Sequence, residues 1–511
     1  MTSHGGSAVT HRHGRTLAII AAALLVLGSS ARLQAADVPS PPREFRAAWI
    51  ATVANIDWPS RPGLPTSEQK KELVALFDKA VELNLNAIVL QIRPSADALY
   101  PSKLEPWSEY LTGETGKAPE PFYDPLKFAI EEAHRRGLHL HVWFNPYRVR
   151  QSGAKSAPSP DHASVADADV VREYGPYLWF DPGEPKALQR FIDVITDVVN
   201  RYDIDGVHID DYFYPYPVDG EPFPDDESYQ RAVEAGETLD RDDWRRQNCD
   251  RLVEQMYQAV KREKPWVLVG ISPFGIWRPG HPEGIEGLDQ YAVLYADARK
   301  WLREGWVDYF TPQLYWKIEG PQSYPKLLTW WREENVKGRH LWPGNFTSRV
   351  RSGPEVEVSR EVWPAEELIR QIEVTREIVP QPGNVHFSMK ALMDNRDVLN
   401  DKLKSGVYAE PALIPEIDWL GGKPPGEPTL SANPNDKGFA LKFETRGGEK
   451  PWQWIVRVRE GDQWKMHVLP GAKPELSVEM TQGQHKQVVA SAVSRLGLEG
   501  PQATFDLRKP N

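Results

Sequence analysis

The sequence predicts an α/β chain: a (β/α)8 TIM barrel followed by a small all-β sandwich of fibronectin-III type. Three observations carry this. From residue 45 to about 405, short apolar runs alternate with amphipathic helical stretches, as they do in a parallel sheet covered by helices. The longest connections, 95–123, 148–184 and 214–243, follow apolar runs at their C-terminal ends, where a barrel assembles its site. After about residue 411 the texture changes to short alternating stretches broken by Gly, Pro and Asn, which suits antiparallel strands. A doubly wound open sheet is the alternative. It usually carries a Gly-rich first turn, and neither of the first two strands is followed by one.

Residues 45–52 read as the first strand and 67–83 as its helix, with Ser67 as N-cap. The second pair is 87–94 and 124–136, the helix ended by Gly137; the third is 138–147 and 185–202. Strand 206–213 precedes helix 244–264, and 267–275 precedes a helix near 291–303. Strand 307–316 leads to a helix near 324–334, 340–347 to 364–378, and 384–392 to 398–405, which closes the cycle. The chain is expected to divide into a signal peptide at 1–36, a barrel at 43–410, a linker at 411–430 and a sandwich at 431–511. The linker is read from Gly421-Gly422-Lys423-Pro424-Pro425-Gly426. Sandwich strands are expected near 439–443, 452–458, 464–469, 476–480, 487–493 and 503–507.

With 511 residues, 40% hydrophobic and 26% charged, the chain can bury a sizeable core. A net charge of -11 argues against nucleic acid or anionic lipid as the main partner. The 19 Trp, 18 Tyr and 16 Phe offer flat faces suited to stacking on sugar rings. At the N-terminus, Arg12, His13 and Arg15 precede an apolar run at 17–28, with Leu33-Gln34-Ala35 as a cleavage site before Ala36. That run is too short to span a bilayer and fits a signal-peptide core. Export to the periplasm or beyond is expected, with no stable membrane anchor after cleavage. The single cysteine, Cys249, allows no intrachain disulfide and reads as buried packing.

The stretch Asp205-Gly206-Val207-His208-Ile209-Asp210-Asp211-Tyr212-Phe213-Tyr214-Pro215 organises the chemistry. Strand alternation puts His208 and Asp210 on one face and Val207, Ile209 and Asp211 on the other. A carboxylate at the C-terminal end of a barrel strand, beside a second one and three aromatics, suits a site that stabilises positive charge developing on a sugar. Other strand ends supply Gln91 and Arg93, Asn145 and Tyr147, Ser272, Gln313 and Tyr315, Asn345 and Lys390. Facing opposite ways, Asp210 and Asp211 are not expected to flank one scissile bond. A further carboxylate would come from Asp97, Glu105, Glu283, Glu286 or Glu319, or the sugar's own acetamide would act as nucleophile.

Seven motifs occur in register: Phe45-Arg46-Ala47-Ala48-Trp49-Ile50-Ala51-Thr52; Asn55-Ile56-Asp57-Trp58-Pro59; Gln91-Ile92-Arg93-Pro94 with Asp97-Ala98-Leu99-Tyr100; Trp143-Phe144-Asn145-Pro146-Tyr147-Arg148; the Asp205–Pro215 stretch; Ile271-Ser272-Pro273-Phe274-Gly275-Ile276-Trp277-Arg278; and Thr311-Pro312-Gln313-Leu314-Tyr315-Trp316. In this order they resemble the glycosyl-hydrolase-like family ten of bacterial envelope proteins, over roughly residues 43–410. The chain is also similar to the divisome-localised glycosidase that trims peptidoglycan strands stripped of stem peptides. The resemblance implies a TIM barrel, glycan hydrolysis and a place for Asp210 and Asp211 in the family's strand-four acidic motif. Asp210 and Asp211 are therefore the candidate catalytic pair. Gln91, Arg93, Asn145, Tyr147, His208, Tyr212, Gln313, Tyr315 and Trp316 are the candidate sugar contacts. No cofactor and no metal is expected, and the partner is a polysaccharide. Two alternatives stay open: a metal-dependent polysaccharide hydrolase or deacetylase using His139-Leu140-His141 and His208-Ile209-Asp210, and a non-catalytic glycan-binding protein.

Overall fold

In the computed structural model of the chain, residues 38–351 and 362–508 are described; the expected signal peptide lies outside them. Parallel strands run as β1 (Phe45–Ile50), β2 (Ala87–Arg93), β3 (His139–Phe144), β4 (Gly206–Ile209), β5 (Leu268–Ile271), β6 (Tyr309–Phe310), β7 in two pieces (His340–Leu341 and Gly344–Asn345) and β8 (Gly383–His386). The first piece of β7 pairs with β6 and the second with β8, while β8 pairs with β1. The ring therefore closes through a strand interrupted at Trp342-Pro343, where proline has no N–H to give to a ladder. Strands β4 and β6 are shorter than the apolar alternation suggests. Beyond Ile209 and Phe310 the chain turns into the loops that carry polar side chains to the mouth.

Helices α1 (Thr66–Glu82), α2 (Pro125–Arg135), α3 (Pro185–Arg201), α4 (Arg241–Glu263), α5 (Ala298–Glu304), α6 (Tyr324–Glu334), α7 (Ala365–Ile378) and α8 (Leu399–Ser405) surround the ring. Three of them start on a capping side chain: Asp124 accepts from Lys127 N, Asp240 from Asp243 N and Asp297 from Lys300 N. α1 starts one residue earlier than expected, with Pro65 rather than Ser67 at its N-cap. α3 buries Phe191, Val194, Ile195, Val198 and Val199, the i, i+3, i+4, i+7 stripe of a helix laid on a sheet. Cys249 is buried and free in α4. Among the described residues no helix is long and apolar enough to cross a membrane.

Inside the ring a second apolar layer joins Phe45, Trp49, Val89, Trp143, Tyr309, Trp342 and Val385 to Ile414, Ile417 and Leu496. The last three come from beyond the barrel and plug its floor. The stretch expected as a linker is therefore largely built in. Leu413 bridges Arg43, Ile417 is fully buried, and a strand already begins at Pro425.

The C-terminal region is all-β. Strands β9 (Pro425–Asn435), β10 (Gly438–Gly448) and β13 (Glu475–Glu479) form one antiparallel sheet. Strands β11 (Gln453–Glu460), β12 (Gln463–Pro470), β14 (His485–Val493) and β15 (Ala503–Arg508) form the other. Phe439, Leu441 and Phe443 of one sheet pack on Trp454, Val456 and Val488 of the other, as in a sandwich. This region docks beneath the barrel. Arg495 Nε lies 2.6 Å from Asp205 Oδ1 at the start of β4, and Gln453 Nε2 donates to Gly137 O at 2.9 Å. The Trp452 ring sits 4.7 Å from His134 and 5.0 Å from His139.

Candidate active site

The C-terminal mouth of the barrel holds a pocket of about 310 Å³. Its lining combines aromatic and apolar side chains, Trp49, Ala51, Val53, Ile56, Trp143, Tyr315 and Phe387, with polar ones, Arg148, Gln151, Asp210, Asp211, Tyr212, Tyr216, Ser272 and Gln313. Such a mixture suits a ring that is greasy on one face and hydroxylated at its edge. Among the described residues, Asp210 and Asp211 are the only carboxylates that line the pocket.

Because β4 ends at Ile209, strict alternation no longer governs the next two residues. Asp210 and Asp211 both face the pocket, contrary to the opposite-face expectation. Asn145 Nδ2 donates to Asp210 Oδ2 at 2.6 Å. Asn145 Oδ1 in turn accepts from Gln91 Nε2 at 2.6 Å and Arg148 Nη2 at 2.7 Å. Asp211 accepts from the Tyr216 hydroxyl. Burial, and then the neighbouring charge of Asp211, push the Asp210 carboxyl up to about 7. Burial also raises Asp211, against hydrogen bonds from Tyr216 and Gln313 that favour its charged form. The Arg148 guanidinium, 4.8 Å from the Tyr212 ring centre, draws both carboxyls back down. Two like charges this close do not both ionise readily, which adds to burial in holding the Asp210 carboxyl up.

Asp210, Asp211, Tyr212, Gln313 and Tyr315 reach the pocket as expected from the sequence. Six others do not line it. Gln91 is fully buried and accepts from Thr52 N and Val53 N at 2.9 and 2.8 Å. Arg93 is fully buried and paired with Glu105. Asn145 acts behind Asp210 rather than on a ligand. Tyr147 is fully buried, in the layer between strands and helices. His208 lies inside the ring, hydrogen-bonded to Tyr309 and Ser272. Trp316 packs on Phe274, ring centres 5.5 Å apart. Gln91, Arg93 and His208 are spent on the strands below the mouth, while Tyr147 and Trp316 lie beyond the ends of β3 and β6 and pack into the layer outside the ring. Of the carboxylates considered as second acid, Asp97 and Glu105 are buried beside Arg93, and Glu283, Glu286 and Glu319 are not in the lining. His139, His141 and His208 lie at successive depths of the interior, and among the described residues no three His, Cys, Asp or Glu side chains converge as metal ligands would.

Trp49, Ala51, Val53, Ile56, Trp143, Arg148, Gln151, Tyr216, Ser272 and Phe387 complete the lining without having been assigned sugar contacts from the sequence. The signal for Trp49 was there: positions 45, 47, 49 and 51 alternate inward along β1. Tyr216 lies beyond the strand, where periodicity gives no direction.

A closed (β/α)8 ring with paired carboxylates in an aromatic pocket at its C-terminal mouth defines the class of barrel to which many glycosidases belong. The sequence profile described as Glycosyl hydrolase-like 10 matches residues 44–358, more than half of the chain, and the chain belongs to that family. Glycosyl hydrolase YngK of Bacillus subtilis (strain 168) is 44% identical over 405 residues, 77% of this chain and 78% of its own length. Glycosyl hydrolase DigH of Escherichia coli (strain K12) is 36% identical over 310 residues, 57% of this chain and 70% of its own. Among solved structures, α-L-fucosidase isoenzyme 2 from Paenibacillus thiaminolyticus superposes with a TM-score of 0.44 at 12% identity, over 72% of this chain and 49% of that one. The family match stops at residue 358, before β8, although the ring needs β8 to close.

Proposed function

We propose that this chain is an exported glycoside hydrolase acting on a bacterial cell-envelope glycan, with peptidoglycan strands lacking stem peptides as its substrate. One observation carries the reading: two adjacent carboxylates share one aromatic-lined pocket, Asp210 accepting from Asn145 and Asp211 from Tyr216, with the Asp210 carboxyl pushed up to about 7 by burial and by Asp211. Among the described residues no third carboxylate lines the pocket, and a substrate-assisted scheme needs none. Asp210 gives its proton to the glycosidic oxygen as that oxygen leaves C1. The sugar's acetamide oxygen bonds to C1 from the opposite side. Asp211 accepts the acetamide N–H and offsets the charge of the resulting oxazolinium. Water then attacks C1, returning its proton to Asp210 and releasing the acetamide. Trp49, Trp143, Phe387 and Tyr315 would take the acetamide methyl and the apolar sugar face. Relatives named glycosyl hydrolases support the chemistry, and the leader-like N-terminus supports export.

The test is to incubate the mature protein with purified glycan strands freed of peptides and to follow released oligosaccharides by mass spectrometry. Release by the wild type, abolished in Asp210→Asn, is expected. Tight binding to the strands without any release would make the protein a glycan-binding one.

A further inference from the structure

A hydrogen-bonded column crosses the barrel interior and ends in the pocket. His141 Nδ1 lies 2.8 Å from the Tyr309 hydroxyl, and His208 Nδ1 lies 3.0 Å from the same oxygen. His208 Nε2 lies 2.9 Å from Ser272 Oγ, and the Trp49 indole N–H donates to it at 3.3 Å. Trp49 and Ser272 both line the pocket. Space is cleared for this column by two inward glycines: a Cβ on Gly270 would stand 1.9 Å from the Tyr309 ring, and one on Gly206 2.7 Å from the His141 ring.

The column can be protonated in two directions, because Tyr309 has a single proton between two imidazoles. If His208 carried its proton on Nε2, that N–H would point at the Trp49 indole N–H, leaving a buried donor without an acceptor. If His208 carries it on Nδ1, Nε2 accepts from both Trp49 and Ser272. Tyr309 then accepts from His208 and donates to His141. At the far end His141 Nε2 has no partner, so this direction leaves one N–H unpaired there; the opposite direction leaves the Trp49 N–H unpaired, sets it 3.3 Å from a like N–H, and frees the Ser272 proton from His208. An unsatisfied buried donor costs far more than a satisfied one gains, and Ile209 O, at 3.5 Å, is a poor alternative acceptor for the Ser272 proton.

We propose that Tyr309, His208 and His141 are positioning residues that hold Ser272 as a pure hydrogen-bond acceptor toward the pocket, so that Ser272 selects a substrate hydroxyl or amide N–H. This rests on the reading of the pocket as a glycan site. Ser272 spends its only proton on His208, and its lone pairs are left for the ligand.

The test is made on the full chain labelled with ¹⁵N-histidine. Two-bond ¹H–¹⁵N correlations report which nitrogen of each neutral imidazole bears the proton, and His208→Gln and His141→Gln assign the two rings among the 13 histidines. The proton is expected on Nδ1 of His208 and Nε2 of His141. A proton on Nε2 of His208 overturns the proposal, whatever the variants do. Tyr309→Phe is expected to move the His208 proton to Nε2 and to lower kcat/KM on denuded strands about tenfold, the effect of one lost hydrogen bond. The loss should sit mostly in KM, with the alkaline limb of the pH profile unmoved. Ser272→Ala should match it and Ser272→Thr should recover most of it; wild-type kcat/KM in Ser272→Ala also overturns the proposal. A wild type that releases no oligosaccharide defeats the hydrolase reading instead, and the tautomers are read without turnover, so the two failures are told apart.

Discussion

Two buried aspartates stand at the two ends of one short strand and behave oppositely. Asp205, at the floor, is pushed up by burial but held well below its ordinary value by the Arg495 guanidinium, with His139 and His134 beside it. Asp210, at the mouth, is pushed up to about 7 by burial and by Asp211. Residue type, strand and burial are the same; only the partners differ. The floor pairs its charge with a cation from the other domain, where the pair fastens two bodies together. The mouth sets its charge against another carboxylate, which raises the Asp210 carboxyl further.

The comparison breaks first at Asp210. Asp210→Asn should cut oligosaccharide release about 10²–10⁴-fold, the usual worth of a positioned acid. A residual rate near wild type would mean that the mouth's proton is not used. At the floor, Arg495→Ala should lower stability by about 3 kcal/mol, the low end for a widowed buried charge because His134 stays beside Asp205. Urea unfolding reads this, and activity per folded molecule should not change.

The pH profile sharpens the contrast. With Asp210 as the proposed acid, release should decline as pH rises through about 7. Asp211→Asn removes the like charge, lowers the Asp210 carboxyl, and should shift the alkaline limb of the remaining activity to lower pH. An unmoved limb would separate the two carboxyls. The smallest effect is on stability. Folded Asp210 titrates near 7 against about 3.9 in an unfolded chain. The folded state therefore binds more protons between those values, and stability falls as pH rises through that window. Asp210→Asn should raise the melting temperature by about 1–3 °C at pH 8 and give no gain at pH 4. Asp205, whose carboxyl is lowered, gains its stabilisation above its unfolded value and loses it in acid.

The barrel was legible because its signal repeats: each apolar run is followed by a helix-period stretch, and the helices α3, α6 and α7 lie within a residue or so of where periodicity sets them. Strand ends were less so. Alternation continues through Asp210-Asp211-Tyr212 in the sequence, but backbone pairing stops at Ile209, and that difference moved Asp211 from the far face into the pocket. Depth was the other loss. Arg93, His208 and Tyr147 are polar residues near strand ends, yet each is spent on a buried partner or on packing. One-dimensional spacing says which way a side chain faces, not how far the loops above it rise. The linker-like Gly-Pro cluster misled for the same reason: its turns are real, and the neighbouring Ile414 and Ile417 are anchored by what they cover.

That covering sets a limit on how the molecule can be divided. Ile414, Ile417 and Leu496 are the stopper in the ring's lower opening. A chain ended at the family boundary would lack a stave, and one ended at residue 410 would keep every stave but stand open to water from below. The two halves should melt in a single step, and a protease should find no cut that sets a working catalytic half free.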